Sequence, residues 1–371
     1  MSAHVTGQEI IKKFEGWSPK AFAYDWDNVG LQVGSLNKPV HKVMVTLDVL
    51  ERTVDEAIQK DVDLIIAHHP VLFIKLKEIN LDTPKGRVIQ KLIKHDITVY
   101  AAHTNLDVAK GGVNDAMADL LNLQNTRPLI PQRTDDLIKL AVFVPETHAD
   151  SLRDAISQAG AGYIGNYSHC TYQVSGQGTF KPEEGTDPYL GEKGKLEFVD
   201  EKRVETIVPK SKLDQVLKAM KDHHPYEEVA YDLYPLLNDG KVLGVGRVGD
   251  LIEPESLEDL CETVKEKYDV PMVRYTGDAS KTVKRVALLG GSGEDYIHAA
   301  KQSGADVYIT GDMTFHIAQD AEEMGLAVID PGHHVEKVVL PRVKEFLEEY
   351  WDNDNLNVII SEANTEPFSF K

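Results

Sequence analysis

The chain is poor in cysteine. Of its 371 residues only Cys170 and Cys261 carry thiols, too few for a disulfide scaffold or a closed thiolate metal site, so a reducing, cytoplasmic setting is expected. Long apolar runs are missing as well, none approaching the roughly 18 residues of a membrane-spanning helix. The opening stretch MSAHVTGQEIIKKFEG is amphipathic and lacks the pattern of a secretory leader. Positive charge is scarce: 40 Lys and Arg face 60 Asp and Glu, a net charge of −20. Such a surface repels nucleic-acid backbones and anionic membranes, so neither is an expected partner. No G-x-S-x-G motif occurs, which leaves serine or cysteine nucleophilic chemistry without support. What is present is ordinary for a globular protein, 42% hydrophobic and 27% charged residues, and this excludes disorder. At about 150 residues per domain, the length implies two or three domains, each large enough for its own core.

Patterning divides the chain. Thr6 and Glu9 form a capping box ahead of the apolar positions Ile10, Ile11 and Phe14, and so predict a first helix. Short β-branched runs then alternate with helix-length segments: strand Lys42–Asp48, helix Glu51–Lys60, strand Val62–Ala67, helix Lys85–Lys94, strand Thr98–Ala102. The rhythm returns late, with a strand from Val283, a helix Glu294–Gln302, a strand Ala305–Gly311, a helix Thr314–Met324, a strand Leu326–Asp330, a helix Val335–Tyr350 and a strand Leu356–Ser361. This is the pattern of βαβ units around a parallel sheet, and the two ends of the chain read as one α/β layer system. The middle differs. Two strand-like runs closed by Pro145 and Pro209 each lead into an amphipathic helix and then into aromatic, strand-like sequence, the pattern of a small ferredoxin-like α+β domain. The expected organisation is an α/β domain of residues 1–132 and 239–371, interrupted by an inserted domain of residues 133–238.

Three segments concentrate candidate metal ligands: IIAHHP with His68 and His69, AAHTNLD with His103 and Asp107, and DPGHHVE with His333, His334 and Glu336. Each follows a predicted strand of the α/β domain, and ligands of open α/β sheets bind at the carboxyl ends of the strands. Imidazole and carboxylate together suit Zn, Fe, Mn or Ni. Adjacent His68 and His69 diverge on an extended backbone, so two ions side by side accommodate them better than one. His333 and Glu336, three apart at a helix start, share a face, whereas His334 does not share it with Glu336. A carboxylate can bridge two cations, and Asp107 would complete an asymmetric pair. The isolated His95, His148, His169 and His298 read as capping or core residues, and His223-His224 as loop.

The segments AHHP, AAHTNLDVAKGGVND and DPGHH, taken with WDNVGLQVG from Trp26, GVGRVGDL from Gly244 and ITGDMTFH, resemble the dinuclear-metal-centre family of type 2 GTP cyclohydrolase I-like proteins, also called NGG-interacting-factor-three-like. The resemblance runs from about Glu9 to Phe368. It implies two divalent ions per subunit, Zn or Fe ahead of Mn or Ni, held by His68, His69, Asp107, His333 and Glu336. It also implies a toroidal homohexamer, and a middle insertion resembling the trimeric nitrogen-regulator and copper-tolerance-protein fold. Many members place the last glutamate four residues after the histidine. Here Glu336 is three after His333, which leaves the bridging geometry open and His334 as an alternative ligand. His103, Asp312 and His316 match recurring positions and are implied as supporting or substrate-facing groups.

The function so implied is a metal-dependent hydrolase in which two cations activate water. His103 is the candidate for proton transfer. The substrate is a small molecule such as GTP or another phosphorylated compound, with opening of the GTP imidazole ring and release of formate as the reaction the family name carries. The alternative is a non-catalytic metal-binding protein whose inserted domain binds an effector or partner. Weaker signals surround this core. Gly244, Gly246 and Gly249 spell G-x-G-x-x-G, but no helix is predicted after them, so they read as a tight turn or close packing. LLGGSGED could cradle a phosphate at a helix start, or be a plain strand–helix turn. Asp27 and Asn28 could close over the site, or form an ordinary turn.

Overall fold

The computed structural model describes residues 5–351 and 355–371; the first four residues of the N-terminal segment read above lie outside them. The chain divides into two compact units, one of residues 1–132 and 243–371 and the other of residues 133–242.

In the first unit the capping box is present: Thr6 caps the helix Gly7–Trp17, and the Thr6 amide donates to Glu9 Oε2 at 2.8 Å. Two sheets follow where one layer system was expected. The five-stranded sheet runs Gly30–Val33, Thr98–Ala101, Leu64–Ala67, Lys42–Thr46, Asn357–Ile360. All its pairings are parallel except the first. The six-stranded sheet runs Arg274–Thr276, Ala327–Asp330, Val307–Gly311, Thr282–Ser292, Lys241–Ser256, Gln124–Asp135. Its Thr282–Ser292, Val307–Gly311 and Ala327–Asp330 strands are mutually parallel. The two chain ends do meet, because Asn357–Ile360 pairs in register with Lys42–Thr46, but the late βαβ units build a sheet of their own.

The strand sequences show why. Alternate residues point to opposite faces. Val43, Val45, Leu64, Ile66 and Tyr100 join one core, together with Val286, Leu288, Val307 and Ile309 of the other sheet. Helical Ile10, Phe14, Leu260 and Val343 fill the same core. Their neighbours Met44, Ile65 and Val99 pack on the opposite face, and Ala287, Leu289 and Tyr308 do so in the second sheet. With both faces covered, these strands are apolar throughout rather than alternating, as parallel strands are.

The three glycines of GVGRVG lie inside the strand Lys241–Ser256, which runs on for seven residues past Gly249 before the helix Leu257–Lys267 begins, so they do not form a strand–helix turn. Gly246 takes φ of 63°, and a Cβ there would come within 2.8 Å of the Leu288 oxygen, so the motif serves close packing of neighbouring strands.

The second unit has the element order strand Leu137–Pro145, helix Ala149–Gln158, strands Thr171–Phe180 and Glu197–Pro209, helix Leu213–His223, strand Tyr231–Pro235. The four strands form one antiparallel sheet in which Leu137–Pro145 lies between Glu197–Pro209 and Tyr231–Pro235. Leu140, Val142, Val144, Val204 and Val208 pack with Leu152, Ile156, Val216 and Met220 of the two helices. His223 ends a helix rather than lying in a loop, and the buried His224 ring bridges the Phe143 oxygen and the Tyr226 amide. His95 follows the helix Pro84–Lys94 as its cap, but His169 and His298 are exposed and belong to no core.

Candidate metal centre

The carboxyl ends of the parallel strands carry the polar residues. His68 and His69 follow Leu64–Ala67, His103 follows Thr98–Ala101, and Asp48 lies just past Lys42–Thr46. From the second sheet come Asp312, past Val307–Gly311, and His333, past Ala327–Asp330. Their meeting point is Glu336. Its carboxylate is 3% exposed, and its Oε2 lies 2.9 Å from His69 Nε2, 3.3 Å from His333 Nε2 and 3.6 Å from His68 Nε2. Asp107 Oδ1 is 3.7 Å from His68 Nε2.

The last segment is not the single helix Val335–Tyr350 expected. A 3-10 stretch His333–Val339 precedes the α-helix Leu340–Glu348. Side chains three apart eclipse in a 3-10 turn. A spacing of three therefore aligns His333 with Glu336 better than it would in an α-helix, while His334 lines the same cavity but belongs to none of the close donor sets.

Each imidazole of the cluster is anchored through Nδ1. His68 donates to the Ala102 carbonyl at 2.9 Å, His69 to Asp48 at 2.7 Å, His103 to Asp27 at 2.9 Å and His333 to Asp312 at 2.6 Å. A carbonyl or carboxylate accepts only, so the Nδ1–H is fixed and Nε2 is turned to the centre. This arrangement orients ligating histidines in metal sites. The Asp48 anchor has no counterpart in the sequence reading, and Asp27, read there as a group closing over the site or an ordinary turn residue, turns out to anchor His103. Asp48 shares the strand-end signal used for the histidines; Asp27, in the loop before Gly30–Val33, has no such signal.

The electrostatics favour positive charge between these groups. Burial alone would lower the His69 pKa, but hydrogen bonds to Asp48 and Glu336 raise it to about 10. His333, likewise opposed by burial, is raised to about 9 by Glu336 and Asp312. Burial works against ionisation of Glu336, yet the surrounding imidazoles hold it well below the usual carboxylate range. Asp107 is pushed up to about 8 by burial and by the charge of Glu336. Two buried acceptor atoms of the cluster, His68 Nε2 and Asp107 Oδ1, have no hydrogen-bond partner. Unpartnered buried polar atoms are costly, and a cation between them would satisfy both. Ligand atoms fall within 4.8 Å of one another in three sets: His69, His333 and Glu336; His68, Asp107 and Glu336; and His68, His69 and His103. Imidazole with carboxylate is a donor set for first-row divalent ions.

The glycine run of LLGGSG packs against the cluster. Gly290 and Gly291 end the strand Thr282–Ser292, and the Gly290 amide is occupied by Asn114 Oδ1 at 3.0 Å. A Cβ on Gly291, whose φ is 69°, would lie 2.4 Å from Glu336 Oε1. Gly291→Ala is therefore expected to displace Glu336 and weaken metal binding about 10- to 100-fold, as loss of a supporting contact does. Competition with a chromophoric chelator measures this, and wild-type affinity in the variant would count against the packing argument. His316 stands apart, exposed and paired with Gln319.

A cavity of about 1190 Å³ opens onto the cluster, with Tyr24, Trp26, Phe73 and Tyr296 among its apolar walls and Arg52 and Arg274 among its cations. No helix among the described residues is long and apolar enough to cross a membrane.

The chain resembles proteins already known. The profile of the family Duf34/NIF3 (NGG1p interacting factor 3) matches residues 5–367. A Bacillus subtilis protein named GTP cyclohydrolase 1 type 2 homolog is 53% identical, covering 100% of both chains. The crystal structure of a Bacillus cereus protein related to NIF3 superposes with a TM-score of 0.91 at 50% identity over 100% of both chains. That of the Staphylococcus aureus protein SA1388 gives 0.71 at 30% identity over 99% of both.

Proposed function

This chain belongs to the Duf34/NIF3 family, and from that premise we propose that it is a hydrolase using two divalent cations, Zn or Fe, to activate water. One observation carries the reading: two sets of donors, His69 with His333 and His68 with Asp107, share the buried Glu336. Bound there, the ions would supply Lewis acidity, polarising an electrophile and making water a better acid. His103, held by Asp27 through Nδ1, keeps Nε2 free to take up or return a proton. Glu336 and Asp107 are the carboxylates, and His68, His69 and His333 the imidazoles, that would hold the ions.

For the substrate we take GTP or a related small phosphorylated compound, opened at its imidazole ring with release of formate. The name GTP cyclohydrolase 1 type 2 homolog, carried by relatives at 50–53% identity, supports this choice. We read residues 133–242 as a ferredoxin-like insertion, supported by their strand–helix–strand–strand–helix–strand order and their antiparallel sheet. A homohexamer in the cytoplasm is the assembly and setting we propose. A second reading, a non-catalytic metal protein whose insertion binds an effector, is favoured by the separate core of that unit.

Turnover separates the two. Metal-loaded protein incubated with GTP is expected to release formate, and His68→Ala to reduce the rate by more than about 100-fold, the scale for losing a ligand rather than its support. Formate release unaltered by His68→Ala, or none from the loaded wild type, would overturn the hydrolase reading.

A further inference from the structure

Two large aromatic rings stand in water beside the cluster. Trp26 is 62% exposed and Phe73 is 56% exposed. Both line the cavity that opens on the histidines. With His103 they form a corner of three rings, Trp26 to Phe73 at 6.0 Å, Trp26 to His103 at 6.2 Å and Phe73 to His103 at 6.0 Å between centroids, each pair nearly perpendicular.

Leaving such rings exposed forgoes hydrophobic stabilisation, and an exposed loop residue is ordinarily free to fold its ring down onto the surface. These loops are pinned. Asp27, next to Trp26, has a fully buried carboxylate that accepts from the Thr104 amide at 3.0 Å, the Thr104 hydroxyl at 2.6 Å and His103 Nδ1. On the other side of Trp26, the Tyr24 amide donates to Thr104 Oγ1 at 3.1 Å. Asn28 Nδ2 donates to the Leu72 carbonyl at 2.8 Å, tying the Trp26 loop to the residue before Phe73. Tyr24 backs Trp26 in a stack of 5.6 Å and 11°. One face of the indole is thus supported by Tyr24, while more than half the side chain stays open. A rigidly held, half-exposed aromatic surface is a preorganised binding surface.

Several facts identify the occupant. The rings lie inside a cavity, not on a convex surface, and its volume of about 1190 Å³ is somewhat larger than the about 300–1,000 Å³ usual for small-molecule sites, leaving ample room for one small ligand. They touch His103, so whatever stacks on them sits beside the candidate proton carrier. Their perpendicular arrangement offers one flat face and two edges, which suits a planar ring. We propose that Trp26 and Phe73 hold a planar heteroaromatic ring of the substrate beside His103, with Trp26 as the stacking platform. The proposal rests on the cavity being the substrate site of the preceding reading, but not on hydrolysis taking place there.

Purine nucleosides are the probe, guanosine and adenosine, with ribose 5-phosphate as the control that lacks an aromatic ring. Binding to the metal-loaded full chain is followed by calorimetry and by quenching of tryptophan fluorescence. A nucleoside is expected to bind and to quench, and ribose 5-phosphate not to quench. Trp26→Ala is expected to weaken nucleoside binding by about 5- to 150-fold, the range for losing one base–aromatic stack, with metal content unchanged. Trp26→Phe should keep most of the affinity, and Phe73→Ala should weaken it less than Trp26→Ala. Failure of both nucleosides to bind, or equal affinity in Trp26→Ala, overturns the proposal. So does a change in sedimenting mass in Trp26→Ala with nucleoside affinity intact, which would assign the rings to an interface between copies. Binding that depends on Trp26 without formate release from GTP would leave this inference standing and remove the hydrolase reading. Formate release with an unchanged KM in Trp26→Ala would do the reverse.

Discussion

Glu336→Gln is expected to abolish the proposed binding of metal while leaving the fold in place. The Glu336 Oε2 atom lies within 3.6 Å of three imidazole nitrogens, and its carboxylate belongs to both sets of donors that combine imidazole with carboxylate. Glutamine has the same volume, so the packing against Gly290 and Gly291 survives. What is lost is the negative charge and half of the acceptor capacity, and the new amide NH2 group competes for the imidazole lone pairs. Removing a partner that only supports a ligand costs about 10- to 100-fold in metal affinity; removing the carboxylate common to both sets should exceed the upper end of that range. Equilibrium dialysis against Zn or Fe with elemental analysis gives the ion content, and circular dichroism checks the fold. A folded Glu336→Gln variant that binds both ions as the wild type does would end the case for a carboxylate-bridged centre.

The second large effect is on stability. Arg247, 5% exposed on the strand Lys241–Ser256, pairs through two guanidinium nitrogens with Asp115 of the helix Val113–Leu120. Its Nη1 donates to the Gly244 and Gly246 carbonyls at 3.0 and 2.7 Å. Asp115→Ala leaves this guanidinium buried with carbonyl acceptors but no counter-charge. Breaking a buried pair from one side costs about 3–5 kcal/mol, which for a domain of this size lowers Tm by on the order of 10 °C. The pH dependence has a definite sign. Burial works to raise the Asp115 pKa, but the Arg247 hydrogen bonds and charge outweigh it and hold it below the ordinary value. A depressed carboxylate contributes fully above the unfolded-state pKa of about 3.9 and loses that contribution as pH falls through the folded value. The gap between wild type and Asp115→Ala should therefore be widest near neutrality and should shrink in acid below that pKa. Calorimetric melts of both proteins at neutral and acid pH measure it. A Tm change under a degree at neutral pH would show that the pair does not hold the strand to the helix.

Much of the architecture was legible because its causes are local. Thr6 and Glu9 cap a helix wherever an apolar face follows them. Runs such as Leu64–Ala67 and Val307–Gly311 are apolar throughout because both faces of their sheets are covered. The candidate ligands could be found for a related reason: in parallel sheets polar residues collect where strands end. Asp48 belonged to that same pattern and was passed over, since an aspartate closing a strand is also an ordinary turn residue. Asp27 could be singled out as near the site, but its role as the anchor of His103 was out of reach. Its role depends on Thr104 and His103, contacts 76 and 77 residues away in sequence that leave no mark on the residues around it.

The sequence by itself determined most of the βαβ strands and helices and which ends carry imidazole and carboxylate, because periodicity, capping and β-branching act over a few residues; it did not mark strands such as Gly30–Val33 and Gln124–Asp135. Only the tertiary structure decided that the late strands form a sheet of their own, and that residues as distant as His69 and Glu336, 267 apart, share a hydrogen bond. It also decided that a 3-10 turn brings His333, and not His334, into a donor set with Glu336. Those outcomes depend on how sheet registers and packed helices fit against one another. That fit is a property of the whole unit, and no window of neighbouring residues contains it.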